Sequence, residues 1–213
     1  MEDASIYKGP VVRNRKPRTD AIRNRERVLE AAKAVFSQGG PEASLEEVAR
    51  HAGVGIGTLY RHFPTREALY EAVYRREVDQ LVELAKQLQT QATPIEALRR
   101  WMQSGVEFMA TKKGMAAALA LAAHSSSELI AYSLDRLTSA LRQLLQRAAS
   151  AGELRAEVDA EDLLRTLVGM CYAQDKPAWK TKVLRLVDIF VEGLRRPPNN
   201  RQGRRTHGTA KHR

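Results

Sequence analysis

The sequence predicts an all-α protein of about nine helices, a small three-helix N-terminal unit followed by an antiparallel helical bundle. Three observations lead there. Apolar residues recur at spacings of three and four along most of the chain, and nowhere do they alternate as strands require. Residues Ser44 to Arg66 hold two very short amphipathic segments separated by only Gly53, Val54 and Gly55. The last two periodic segments are apolar on more than one face, which calls for a second partner layer.

Taken in order, residues 1–19 show no apolar periodicity and are expected to form a disordered arm, with basic groups at Arg13, Arg15, Lys16 and Arg18. The first helix is expected from about Asp20 to Gln38, with Ile22, Leu29, Ala32 and Phe36 on one face and Val28 and Val35 beside them. Gly39-Gly40-Pro41 stops it. In the next segment Leu45, Val48, Ala49 and Ala52 make one stripe, and Ser44 with Glu47 makes an S-x-x-E capping box. Gly53 stands where a helix ends in a left-handed residue. Ile56, Leu59, Tyr60 and Phe63 repeat the stripe, with Gly55 as the available cap. Two short helices joined this tightly form either an ordinary helical hairpin or a helix-turn-helix, whose second helix enters the DNA major groove.

A long helix begins near Thr65 and carries Leu69, Val73, Leu81, Leu84, Ala85 and Leu88. It leaves the first unit (residues 20–66) and enters the second (67–195), so the link is a helix rather than a loop. Thr93, Pro94 and Glu96 start another helix, expected to break at Lys112-Lys113-Gly114 before a short apolar helix over GMAAALALAAH. Ser125 and Glu128 open a long helix with Ile130, Leu134, Leu137, Leu141, Leu144 and Ala148 in its stripe, ended by Gly152. Asp159 caps the next, and the last spans about Pro177 to Leu194. Residues 196–213 are expected to be a disordered basic tail.

Charge is concentrated at the ends. The net charge is +10; residues 1–25 hold +4 and residues 195–213 hold +7, leaving −1 for the body between. A basic arm beside a helix-turn-helix is the electrostatic footprint of a phosphate-binding protein. Basic tails also serve simply as solubilising ends, and for the C-terminal tail both readings stand. One cysteine, Cys171, allows no disulfide within the chain and fits a reducing compartment. The start, MEDASIYKGP, has no apolar core, and no run approaches the ~18 apolar residues of a membrane span, so the expected location is cytoplasmic with no membrane partner. Enzymatic activity is not expected. His51, His62, His124, His207 and His212 make no metal-binding spacing, no phosphate-binding loop is present, and no metal or cofactor is implied.

The runs RERVLEAAKAVFSQGG, SLEEVARHAGVGIGTLYRHF and PTREALYEAV resemble the DNA-binding domain of the TetR family of bacterial transcriptional regulators. The resemblance is strong from about Ala21 to Val78 and architectural beyond Leu81. It implies a homodimer on a pseudo-palindromic double-stranded DNA operator, acting as a repressor that an unknown small-molecule effector releases. It implies that Tyr60, His62 and Arg66 contact the DNA backbone, that Ser44 meets phosphate, and that Thr58 and its neighbours approach bases. With Arg25, Gly55, Gly57 and Arg61 these make the expected DNA-binding set. Arg61 can read guanine bidentately or hold a phosphate. Many relatives carry serine where this chain has Gly55. With glycine at 55 and 57 the reading head has few polar side chains, so a nonspecific architectural DNA binder using its basic tails is the alternative.

Side chains left over from the core stripes are the expected effector pocket: Trp101, Phe108, Met109, Met115, His124, Tyr132 and Met170. Met and aromatic residues at helical spacing also serve as plain core. In the last two helices, burial within one bundle and a dimer interface both account for the second apolar face. The resemblance favours the dimer, with Leu164, Leu167, Val168, Cys171, Val183, Val187 and Val191 as the expected contacts.

Overall fold

Eight α-helices make up a computed structural model that describes residues 16–39, 43–121, 125–155, 158–173 and 178–196. They are α1 (Lys16–Gly39), α2 (Leu45–Ala52), α3 (Ile56–His62), α4 (Arg66–Gln91), α5 (Pro94–Leu121), α6 (Ser125–Ser150), α7 (Ala160–Tyr172) and α8 (Trp179–Leu194). No strand occurs among the described residues, only one isolated antiparallel bridge between Leu154 and Arg195. The arm before Lys16, the tail after Arg196 and His124 lie outside the described residues.

The caps follow local chemistry. Ser44 Oγ accepts from the Glu47 amide at 3.0 Å, and Thr65 Oγ1 accepts from the Ala68 amide at 3.1 Å. Asp159 accepts from the amides of Glu161 and Asp162 at 2.8 and 3.0 Å, and these bonds to its charged form hold its carboxyl below the usual range. Gly53 and Gly152 end α2 and α6 with φ of 61° and 70°, in the left-handed region that glycine enters without a Cβ clash.

Two expectations about boundaries change. α1 begins at Lys16, four residues before Asp20, because Pro17 in a first turn needs no amide partner and starts a helix rather than preventing one. α5 runs unbroken through Lys112-Lys113-Gly114, so the short apolar helix expected after Gly114 is its continuation and the count falls to eight. Gly114 is there for another reason. A Cβ at this position would lie 2.5 Å from the Phe36 carbonyl oxygen and 3.2 Å from Ser37 Cα. The residue permits backbone contact between α1 and α5.

α1, α2, α3 and the start of α4 enclose the first part of the core, through Val28, Leu29, Ala32, Phe36, Val48, Leu59, Leu69 and Tyr70. Phe36 stacks on Tyr70 with ring centroids 4.2 Å apart. α4 then packs along α5 and α6, and α7 and α8 close the bundle against α5 and α6. Trp101 is fully buried at its centre and donates its indole N–H to the Leu81 carbonyl at 3.0 Å. Ile22, Ile56 and Ile130, expected in core stripes, are 60%, 38% and 52% exposed. Ile56 is the first residue of α3, Ile22 lies two turns into α1, and at the start of α6 it is Leu129, 3% exposed, rather than Ile130 that faces the core.

Ion pairs tie α1 to α4. Lys33 Nζ lies 2.6 Å from Glu77 Oε2, with Glu77 buried, and Arg76 reaches Glu26 and Glu30 at 3.2 and 2.7 Å. The N-terminal unit is thus joined to the bundle by a continuous helix, by these charges and by the Gly114 contact.

Candidate DNA-binding head and effector cavity

A seven-residue helix is too short to be stable alone. α3 is held by Leu59, fully buried, and by Phe63 just after it, each contributing about 1.5–3 kcal/mol of apolar burial. The turn before it is clamped from α1, where Arg27 Nη2 donates to the Gly53 carbonyl at 3.2 Å. The Arg25 guanidinium lies over the Phe63 ring, 5.4 Å from its centroid. These contacts fix α3 with its opposite face outward.

That face carries the expected DNA-binding residues. Gly55, Ile56, Gly57, Tyr60 and Arg61 are exposed, and Thr58 and His62 are half-buried. Leu59 and Phe63 face the core, as their spacing requires. Nothing lies within 4 Å of where a Cβ on Gly55 or Gly57 would stand. These two glycines therefore serve no packing need and leave open surface at the start of the helix. Gly55 is the N-cap residue and makes no side-chain cap bond. Arg61 is folded onto its own helix, with Nη2 3.0 Å from Thr58 Oγ1 and Nε 3.3 Å from the Gly57 carbonyl. Arg66 donates from Nε to the Tyr70 hydroxyl at 3.0 Å. Ser44 is occupied as the α2 cap but keeps its hydroxyl hydrogen to donate.

Behind the head, α4, α5, α6 and α7 surround a cavity of about 430 Å³. Of the seven expected pocket residues, Trp101, Phe108 and Met109 line it. Met115, Tyr132 and Met170 are not in its wall. Met115 is buried, while Tyr132 turns outward to bond Asp79 and lies beneath the guanidinium groups of Arg75 and Arg136. Met170 is half-buried on α7. The wall also includes Tyr74, Gly105, Lys112, Ser133 and Leu137, which sequence reasoning had not chosen. One signal was available: Lys112 is a charged residue one helical turn from Phe108 and Met109 on an otherwise apolar face.

The polar groups of the wall are nearly all engaged. Tyr74 donates to Ser133 Oγ at 2.8 Å, and Ser133 donates to the Ile130 carbonyl at 2.9 Å. Burial pushes the Tyr74 phenol up and the Lys112 ammonium down from their ordinary pKa values. Lys112 Nζ stands 5.7 Å from the Tyr74 ring centroid.

The expected dimer contacts fare differently. Leu164, Leu167, Cys171, Val183, Val187 and Val191 are each buried within the single chain, and Val168 alone is partly open. They are core of the single chain. Helix spacing had shown that α7 and α8 carry two apolar faces, but not which face the other helices of the same chain would cover. The faces left open carry Tyr172, Leu186 and Ile189 at 47%, 41% and 60% exposure, with Phe190 half-buried beside them.

Residues 28–73 match the family model for bacterial regulatory proteins of the tetR family, and residues 93–196 match that for the C-terminal domain of SbtR-like transcriptional regulators. The crystal structure of a TetR transcriptional regulator from Streptomyces coelicolor is 41% identical; the alignment covers 82% of this chain and 99% of that one, with a TM-score of 0.75. The chain belongs to the TetR family of transcriptional regulators. A TetR regulatory protein from Mycobacterium vanbaalenii is 35% identical over 84% of this chain and 98% of its own, with a TM-score of 0.69. An HTH-type transcriptional regulator of Staphylococcus aureus is 39% identical over 72 residues, 33% of this chain and 39% of its own length. In this TetR-family chain α2 and α3 are accordingly the helix-turn-helix. No helix among the described residues is long and apolar enough to cross a membrane.

Proposed function

We propose that the protein is a homodimeric, sequence-specific repressor that leaves its operator when a small molecule occupies the cavity between α4 and α7. The observation that carries this reading is the course of α4. Its Leu69, Tyr70 and Val73 are core of the head, and Tyr74, the next residue, and Leu81, two turns further, are wall of the cavity. A ligand that displaces α4 shifts the head in the same movement. In the dimer, paired recognition helices must match major grooves about one DNA turn (~34 Å) apart, so a small change in their separation removes one of two contacts.

Tyr60, Arg61, His62 and Arg66 are assigned to DNA contacts, with Gly55, Gly57 and Thr58 approaching base edges and Arg25 and Ser44 in supporting positions. The open apolar face of α7 and α8, around Leu186 and Ile189, is assigned to the dimer.

Competition binding tests the reading, with fluorescence anisotropy on labelled DNA. A specific repressor prefers its pseudo-palindrome over random DNA by ~10³-fold or more. A ratio near one, together with loss of binding when both basic ends are removed, would establish a nonspecific architectural binder instead.

A further inference from the structure

The cavity's polar groups define what it accepts. Its wall is apolar apart from Tyr74, Ser133, Lys112 and Arg165. The hydroxyl hydrogens of Tyr74 and Ser133 are spent on Ser133 and on the Ile130 carbonyl. The Trp101 indole N–H is spent on the Leu81 carbonyl. Arg165 lies on the exposed side of α7 and is paired with Glu161. Lys112 is the remaining donor. Among the described residues no carboxylate lies within ion-pair distance of it. A partly buried ammonium in the wall of an apolar cavity, with the Tyr74 ring 5.7 Å away but no counter-ion, is an incomplete pair.

We propose that the effector is a largely apolar organic anion whose acid group pairs with Lys112 while its body fills the space between Trp101, Phe108, Met109 and Leu137. This rests on the proposal that the cavity is the effector site and names the class of compound it takes. The position of Lys112 also connects the head group to the DNA-binding unit. Thr111, beside it, stands 3.5 Å from Ser37 of α1 through their hydroxyl oxygens, and Gly114, two residues on, touches the Phe36 backbone. An anion drawing on Lys112 acts on the seam between α5 and α1. A cation of the same shape meets like charge there and is rejected.

Isothermal titration of the full-length protein at neutral pH with decanoate, decanol and decylamine separates the possibilities, because the three share a tail and differ in head group. Decanoate is expected to bind at least about tenfold more tightly than decanol, with decylamine weakest. In Lys112→Met decanoate binding should weaken about tenfold to a hundredfold, the effect of a lost charge-assisted bond, while decanol binding stays nearly unchanged. Lys112→Arg, which keeps the charge, should retain the preference. Equal binding of decanoate and decanol by the wild type, or undiminished decanoate binding by Lys112→Met, would overturn the anion while leaving the cavity as an effector site. Binding of none of the three would overturn the cavity reading and this inference with it.

Discussion

Replacing Gly114 by alanine tests how the DNA-binding unit is held to the bundle. In a helix interior the change itself favours folding by about 0.8–1 kcal/mol. At Gly114 the added Cβ would lie 2.5 Å from the Phe36 carbonyl oxygen and 3.2 Å from Ser37 Cα. The shortest ordinary C···O contacts are ~3.3 Å, so α1 must retreat by about 0.8 Å. Both neighbours are backbone and cannot rotate away. Overpacking of this kind costs about 1–3 kcal/mol, enough to cancel or reverse the propensity gain. Gly105 supplies the matched control on the same helix. Its Cβ would come within 2.8 Å only of Leu167 Cδ2, the far end of a flexible side chain. Gly105→Ala should therefore be neutral or stabilising, and Gly114→Ala should lie about 1–3 kcal/mol below it. At about 2–4 °C per kcal/mol for a chain of this size, the two Tm values should differ by several degrees. Thermal and urea unfolding followed by circular dichroism, at one protein concentration, measures the difference. Equal stability of the two variants would refute the account of Gly114 as the residue that permits α1 and α5 to touch.

Arg61→Ala should relax base preference at one operator position if Arg61 unfolds from Thr58 to read guanine; equal weakening on every sequence would identify a phosphate contact instead. Ile189→Asp should leave the protomer folded, because Ile189 is 60% exposed, yet reduce the mass seen by light scattering from dimer to monomer; an unchanged dimer would move the interface elsewhere. Lys33→Met should destabilise by about 1–3 kcal/mol, less than for a fully buried pair because Lys33 is one-third exposed, and Lys33→Met with Glu77→Gln should recover most of that loss in urea unfolding. Burial raises the Cys171 thiol to about 11, with Lys113 opposing the shift, so at about pH 8 only ~10⁻³ of it is thiolate. Iodoacetamide should then label Cys171 in urea but barely in the native protein. Any stability owed to this group is intact below the unfolded-state pKa and declines as pH rises toward 11.

Local chemistry determined much of this protein directly from its sequence. The capping box at Ser44, the left-handed Gly53 and the i, i+3, i+4, i+7 stripes are short-range signals, so the pair of tightly joined short helices and the buried positions of Leu59 and Phe63 were legible, while the choice between a helical hairpin and a helix-turn-helix came from the family resemblance. Helix-scale periodicity also located α4, α6, α7 and α8 to within a few residues. Tertiary structure decided what periodicity cannot carry, namely which of two apolar faces meets its own chain. Val183, Val187 and Val191 became core of the chain itself, and Leu186 and Ile189 became the open face. It also decided the meaning of Gly114, a helix breaker by propensity but a point of backbone contact once α1 lies against α5. The cavity followed the same rule. Trp101, Phe108 and Met109 were readable as apolar side chains, whereas Tyr74, Ser133 and Lys112 come from three different helices and meet only after packing. Spacing along one helix encodes a face, and only the assembled bundle assigns that face a neighbour.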